Sequence, residues 1–126
     1  MWWFFGCGFW AGTGHPVVEA HRAGAWNNPE NSRSAVQYAL DQNWPAIEFD
    51  LQLTQDGQLL VHHDPWLDGE HCTLSSGGAL TEKIWIREHN LDELQTGYLC
   101  GGIADPDFPE QNLLAEAPLS YTELLE

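Results

Sequence analysis

Apolar and polar side chains alternate one for one from position 46 onward. Ile47, Phe49, Leu51 and Leu53 fall on one side of an extended chain, and Glu48, Asp50 and Gln52 fall on the other. Gln55-Asp56-Gly57-Gln58 interrupts the alternation with a hairpin signal, because Asp-Gly accommodates the positive φ angles of a two-residue type I′ loop. With Asp56 and Gly57 as the loop, Leu53 is expected to face Leu60, Leu51 to face His62, and Asp50 to face His63. Directly opposed residues share a face, so His63 is expected to join Glu48 and Asp50 while His62 points away with the leucines. A loop longer by one residue would invert that assignment.

The flanking patterns place this hairpin in an α/β context. Residues 17–20 are a short apolar run with β-branched side chains, read as a strand that delivers His21-Arg22 at its end. Asn27-Asn28-Pro29-Glu30-Asn31 is loop material, and Asn31 or Ser32 is placed to cap a following helix. Over 33–42, Ala35 with Ala39 and Val36 with Leu40 form i, i+4 pairs, the stripe of a helix lying on a sheet. Trp44-Pro45 ends it. Strand, helix and strand in this order form a βαβ unit with parallel neighbouring strands, which brings His21 to the same sheet edge as Glu48 and Asp50. Residues 65–87 read as mostly irregular, with turns at Asp68-Gly69 and Ser75-Ser76-Gly77-Gly78 and with His71 and His89 in solvent. A short helix is expected over 90–96, stopped by Gly97, and 101–118 is a Pro- and Gly-rich loop. Ser120-x-x-Glu123 is a capping box whose helix has barely begun at the last residue, so the chain is expected to be a fragment of a longer protein.

Charge narrows the partners. The chain of 126 residues carries 19 acids against 4 basic residues, a net charge of -15. Nucleic acid and anionic membranes bind chiefly through Lys and Arg, so a basic binding surface of that kind is excluded. A phosphate-bearing ligand would need a metal. Glu48 and Asp50, about 6.5 to 7 Å apart along a strand, can converge on a hard cation such as Ca²⁺ or Mg²⁺; the alternative is a solvated outer face. Cys7, Cys72 and Cys100 show no zinc-type spacing, and Cys72 either pairs with Cys100 or all three remain thiols.

Residues 1–16 form an apolar, aromatic lead-in that is too short to span a bilayer as a helix, which takes about 20 residues. It is either the remnant of a signal, with membrane association through this segment, or a buried lead-in under the fold. An extracytoplasmic location, periplasmic or attached to the envelope, is preferred to a cytoplasmic one.

His21-Arg22, Pro29-Glu30-Asn31, Glu48-x-Asp50, Thr54-Gln55-Asp56-Gly57 and His63-Asp64, in this order and spacing, resemble the glycerophosphodiester phosphodiesterase family. The resemblance implies a TIM barrel with its site at the C-terminal strand ends, residues 17–126 being an N-terminal part of that (β/α)8 domain. It implies metal-dependent hydrolysis of small glycerophosphodiesters to an alcohol and glycerol 3-phosphate. His21 and His63 would be the general acid and base pair, in either order, Arg22 and Glu30 would bind substrate, and Glu48 and Asp50 would hold Ca²⁺ or Mg²⁺. A third metal carboxylate would come from a later strand, outside this chain. Ala23 departs from the family's usual glycine, and Ser32 from its usual threonine. Two alternatives stand beside this reading: a phospholipase D of the sphingomyelinase type, which resembles the same motifs, and a truncated, non-catalytic product.

Overall fold

The computed structural model describes residues 17–126, so the expectations for positions 1–16 lie outside the described residues. Strand β1 (Glu19–Ala20) and strand β2 (Ala46–Ile47) pair in parallel, with Glu19 opposite Ala46 and Ala20 opposite Ile47. Between them lie a 3-10 turn, His21–Ala23, and helix α1 (Arg33–Asp41). The βαβ unit expected from the hydrophobic pattern is therefore present. Ser32 is the cap: its Oγ accepts from Ala35 N at 3.1 Å and donates to Pro29 O at 2.5 Å. Ala35 and Ala39 are fully buried, whereas Leu40 stays exposed. The helix thus seats on its two smallest apolar side chains, which permit close approach to the strands, and the expected stripe is half as wide as its i, i+4 pairs imply.

The alternating stretch does not run on as one strand. After β2 the chain leaves the parallel pairing, and β3 (Leu51–Leu53) forms a separate antiparallel hairpin with β4 (Leu59–Val61). Its register corrects the expected one: Leu53 faces Leu59, Gln52 faces Leu60 and Leu51 faces Val61. His62 N donates to Asp50 O at 3.1 Å, so His62, not His63, lies across from Asp50. The turn is the cause. Gly57 has φ +75° while Asp56 is not among the residues with positive φ, so the type I′ geometry, which needs both, is absent. Gly57 N instead donates to Thr54 O at 3.1 Å, and Gln58 N donates to Thr54 Oγ1 at 2.9 Å. This is the three-residue loop with a left-handed last residue. Leu51 and Leu53 remain exposed, as does Val18.

The region expected to be irregular contains paired strands. β5 (Trp66–Leu67) pairs antiparallel with β7 (Ile84–Trp85), and β6 (Cys72–Leu74) pairs antiparallel with β8 (Tyr98–Cys100). Cys72 and Cys100 stand opposite each other and are joined by a disulfide. A 3-10 turn, Ile86–Glu88, then leads to helix α2 (Leu91–Gly97), and helix α3 (Tyr121–Leu124) closes the described chain. Both helices open on capping boxes, Asn90 with Glu93 and Ser120 with Glu123. Leu60, Leu67, Cys72, Leu80, Ile86 and Leu94 form one buried cluster. Each large aliphatic member contributes about 1.5 to 3 kcal/mol by leaving water. Among the described residues no helix is long and apolar enough to cross a membrane.

His62 ties this cluster to the βαβ unit. Its ring Nε2 lies 3.0 Å from Trp66 O, and a carbonyl can only accept, so Nε2 carries the proton. Burial pushes the His62 pKa below 6.5, partly offset by the Glu30 charge. Asp68 and Glu123 are also held low. Burial would raise both carboxyls, but donors outweigh it: Glu70 N–H and Trp66 Nε1–H at Asp68, and Ser120 and Gln95 at Glu123.

Two outcomes follow from these contacts. Ser32→Ala removes an N-cap acceptor and should cost about 1 kcal/mol in chemical denaturation. For His62, the folded state resists a proton that the unfolded chain takes up below pH 6.5, so stability should fall as pH drops from 7 to 5. His62→Leu should flatten the thermal midpoint across that window. Any slope contributed by Asp68 and Glu123 should survive the substitution, because it lies near and below their ordinary values of 3.8 and 4.5.

Candidate active site

The parallel pairing of β1 and β2 places two polar loops at one sheet edge. Beyond Ala20 the chain turns sharply: Arg22 and Ala23 have φ of 47° and 63°, and Gly24 has φ 111°. Left-handed backbone is costly for residues with a Cβ, and the second strand end supports it. Arg22 N donates to Glu48 Oε2 at 2.8 Å, Ala23 N donates to Glu48 O at 2.7 Å, and Glu48 N donates to Ala20 O at 3.0 Å. Ala23 is fully buried in that turn.

Arg22 reaches back to the second loop. Its Nη1 lies 2.5 Å from Glu30 Oε2, with both side chains largely shielded from water. Arg22 Nε is buried and has no hydrogen-bond partner among the described residues. Asn31 adds two bonds across the same edge: its Nδ2 donates to Asp50 Oδ2 at 3.1 Å, and its Oδ1 accepts from Asp50 N at 3.1 Å. Asn31 N also donates to Arg22 O at 2.9 Å. Arg22, Glu30, Glu48 and Asp50 are thus joined through one short network. Asn31 was read only as loop and cap material and as part of the Pro-Glu-Asn motif; its buried side chain proves to be the link between the two strand ends.

The histidines stand differently. His21 is exposed at the head of the 3-10 turn, and its carbonyl accepts from Gly24 N at 2.9 Å and Ala25 N at 3.2 Å. His63 is also exposed and follows β4; its Nδ1 lies 2.8 Å from Asp64 Oδ1, and its carbonyl accepts from Gln52 Nε2 at 2.8 Å. A carboxylate accepts only, so the neutral ring carries its proton on Nδ1 and presents Nε2 as a base. Glu30 and His62 together line two adjoining hollows, shared with Pro29 and Cys100.

Glu48 and Asp50 each use one carboxylate oxygen in these bonds. Among the described residues Glu48 Oε1 and Asp50 Oδ1 make no hydrogen bond, which leaves two hard oxygen donors suited to Ca²⁺ or Mg²⁺. A different trio has its ligand atoms within 4.8 Å of one another: Asp68, Glu70 and His71, at the turn between β5 and β6. Asp68 there already accepts from Trp66 Nε1 and Glu70 N.

Comparison with known proteins matches the geometry to a family. The model of the glycerophosphoryl diester phosphodiesterase family matches residues 21–117. The probable glycerophosphodiester phosphodiesterase 1 of Mycobacterium tuberculosis is 36% identical over 85 residues, covering 68% of this chain and 29% of that protein. A glycerophosphodiester phosphodiesterase of Bacillus altitudinis is 47% identical over 80 residues, covering 64% of this chain and 29% of its own length. A crystal structure from Silicibacter pomeroyi superposes with a TM-score of 0.80 at 27% identity, covering 86% of this chain and 39% of that one. The chain therefore spans under a third of those two curated relatives. Its fold is α/β of the TIM-barrel type, of which these residues make up part. By the extent of the family match and the strand-end network that coincides with it, the chain belongs to the glycerophosphoryl diester phosphodiesterase family.

Proposed function

We propose that this chain carries the phosphate-binding and acid-base side of a glycerophosphodiesterase site, which hydrolyses a small glycerophosphodiester to an alcohol and glycerol 3-phosphate. The observation that carries the reading is Arg22: a shielded guanidinium, fixed by Glu30, with its buried Nε unpaired among the described residues. An unsatisfied buried donor on a charged fork is costly unless a ligand pairs with it. A phosphate oxygen is the acceptor that a guanidinium fork fits best. Family membership supports the same substrate class.

Glu48 and Asp50 would hold a divalent cation, Ca²⁺ or Mg²⁺, which when bound offsets the phosphate charge and polarises the phosphoryl oxygen. Arg22 orients the phosphate, and Glu30 keeps the guanidinium plane from swinging away. His63 takes a proton from the attacking oxygen through Nε2, with Asp64 fixing the tautomer, and His21 gives a proton to the departing alcohol oxygen. Overall, one water adds, the phosphorus-oxygen bond to the alcohol breaks, and each product keeps one of the water's hydrogens.

His21→Ala and His63→Ala should each lower kcat by about 10² to 10⁴, read as glycerol 3-phosphate released from glycerophosphocholine. Choline release from lysophosphatidylcholine without glycerol 3-phosphate from the diester would point instead to the phospholipase D reading. Calorimetric titration with Ca²⁺ and Mg²⁺ should show binding that Glu48→Gln weakens at least about tenfold, the effect expected for losing a charged ligand. Unchanged binding in that variant would remove Glu48 from the metal site.

A further inference from the structure

We infer that Gln111 is a positioning residue for the substrate-binding loop, acting from a strap, residues 101–118, that crosses over that loop; the inference rests on the phosphodiesterase reading above. The strap leaves β8 at the disulfide-bonded Cys100 and passes Pro29 closely. A Cβ at Gly101, which has φ +88°, would collide with the Pro29 ring and with Leu114 O. Gln111 then reaches across. Its Nε2 donates to both Ala25 O at 2.5 Å and Asn28 O at 2.9 Å, using the two hydrogens of one amide on two carbonyls more than 80 residues earlier. Asn112 N donates to Asn27 O at 2.9 Å, and the Phe108 ring meets Trp26 edge-on at 5.9 Å between centroids.

Every one of these contacts lands on residues 25–29, the approach to Glu30 and Asn31. That approach has no strand or helix pairing of its own: its short-range backbone bonds all lead back into the preceding turn, from Ala25 N to His21 O at 3.2 Å, Asn27 N to Gly24 O at 3.1 Å and Asn28 N to Gly24 O at 3.3 Å. Glu30 holds the Arg22 guanidinium and Asn31 holds Asp50. The chain of contact therefore runs from Gln111 to the 25–28 carbonyls, to Glu30 and Asn31, and so to the phosphate ligand and one metal carboxylate. Gln111 borders the hollow that Glu30 and His62 line, and its amide is committed to the two loop carbonyls. It sets where Glu30 and Asn31 are held.

Positioning and bare stability separate in kinetics. A variant that is only less stable loses active molecules, which lowers apparent kcat and leaves KM alone. A variant whose loop is misplaced binds phosphate less well. Gln111→Ala should raise KM for glycerophosphocholine about tenfold, the loss of roughly one net buried hydrogen-bond pair. Gln111→Glu, which sets a carboxylate against two carbonyls, should raise it further. Amide hydrogen exchange should quicken at Asn27, Asn28 and Asn31 and stay unchanged in the Leu60, Leu67 and Leu94 core. If Gln111→Ala does not fold, Phe108→Leu tests the same strap through Trp26 and should raise KM about threefold. An unmoved KM in a folded variant of an active protein overturns the inference, as does exchange that is unchanged or that quickens equally throughout. If the unsubstituted protein releases no glycerol 3-phosphate, it is the phosphodiesterase reading that fails, and exchange alone decides whether the strap places the loop.

Discussion

The Glu48 strand end is the support on which this site stands. Arg22 and Ala23 both take left-handed backbone, a conformation that costs roughly 1 to 2 kcal/mol for each residue bearing a Cβ. Such a turn persists only where its surroundings over-determine it. Glu48 does so with three bonds: its carboxylate and its carbonyl take the amides of Arg22 and Ala23, and its own amide reaches Ala20 O. Without that arrangement nothing obliges Arg22 to turn back toward Glu30. One carboxylate oxygen of Glu48 is consumed as scaffold, and the other makes no hydrogen bond among the described residues.

The division of labour between the two ends of the molecule follows from this. The buried apolar cluster lies with β4 to β8 and α2, around Leu60, Leu67, Ile86 and Leu94. The β1/β2 edge is instead a polar seam in which Arg22, Glu30, Glu48, Asp50 and the buried Asn31 are linked by hydrogen bonds. Polar networks of this kind fix geometry and tolerate substitution poorly, because each loss strands a partner. His62 stands where the two regions join, bonded by its amide to Asp50 and by its ring to Trp66.

How much of this could be read from the chain depended on range. Helix α1, its Ser32 cap and the capping box of Ser120 with Glu123 rest on residues within four positions of each other, and local chemistry found them, although the matching box of Asn90 and Glu93 was not singled out. The hairpin was legible but its register was not. Asp-Gly marks a reversal in either loop type, and the choice fell to the Thr54 hydroxyl, which takes Gln58 N and bonds Asp56 Oδ1 at 2.6 Å. That side-chain closure moved the partner of Asp50 from His63 to His62. β5, β6, β7 and β8 escaped notice because strands of two or three residues have no room for alternation. The motif Pro29-Glu30-Asn31 was legible, yet the two hydrogen bonds between Asn31 and Asp50 join positions 19 apart, which no local pattern displays.

Net charge closes the physical picture. Any anion approaching a chain of charge -15 meets repulsion at long range. At physiological salt that field decays over about 8 Å, so capture depends on the few groups within reach. Of the chain's four basic residues, Arg33 is paired with Glu123, while Lys83 and Arg87 sit against the Trp66 and Trp85 rings. Arg22 is the one cation held at the strand-end network, and Glu30 already neutralises part of it. An arginine so balanced can orient an anion but cannot by itself offset its charge next to Glu48 and Asp50. The two unpaired carboxylate oxygens beside it add negative charge to the same edge, so the anion proposed to bind there would need a counter-charge that Arg22 alone does not supply.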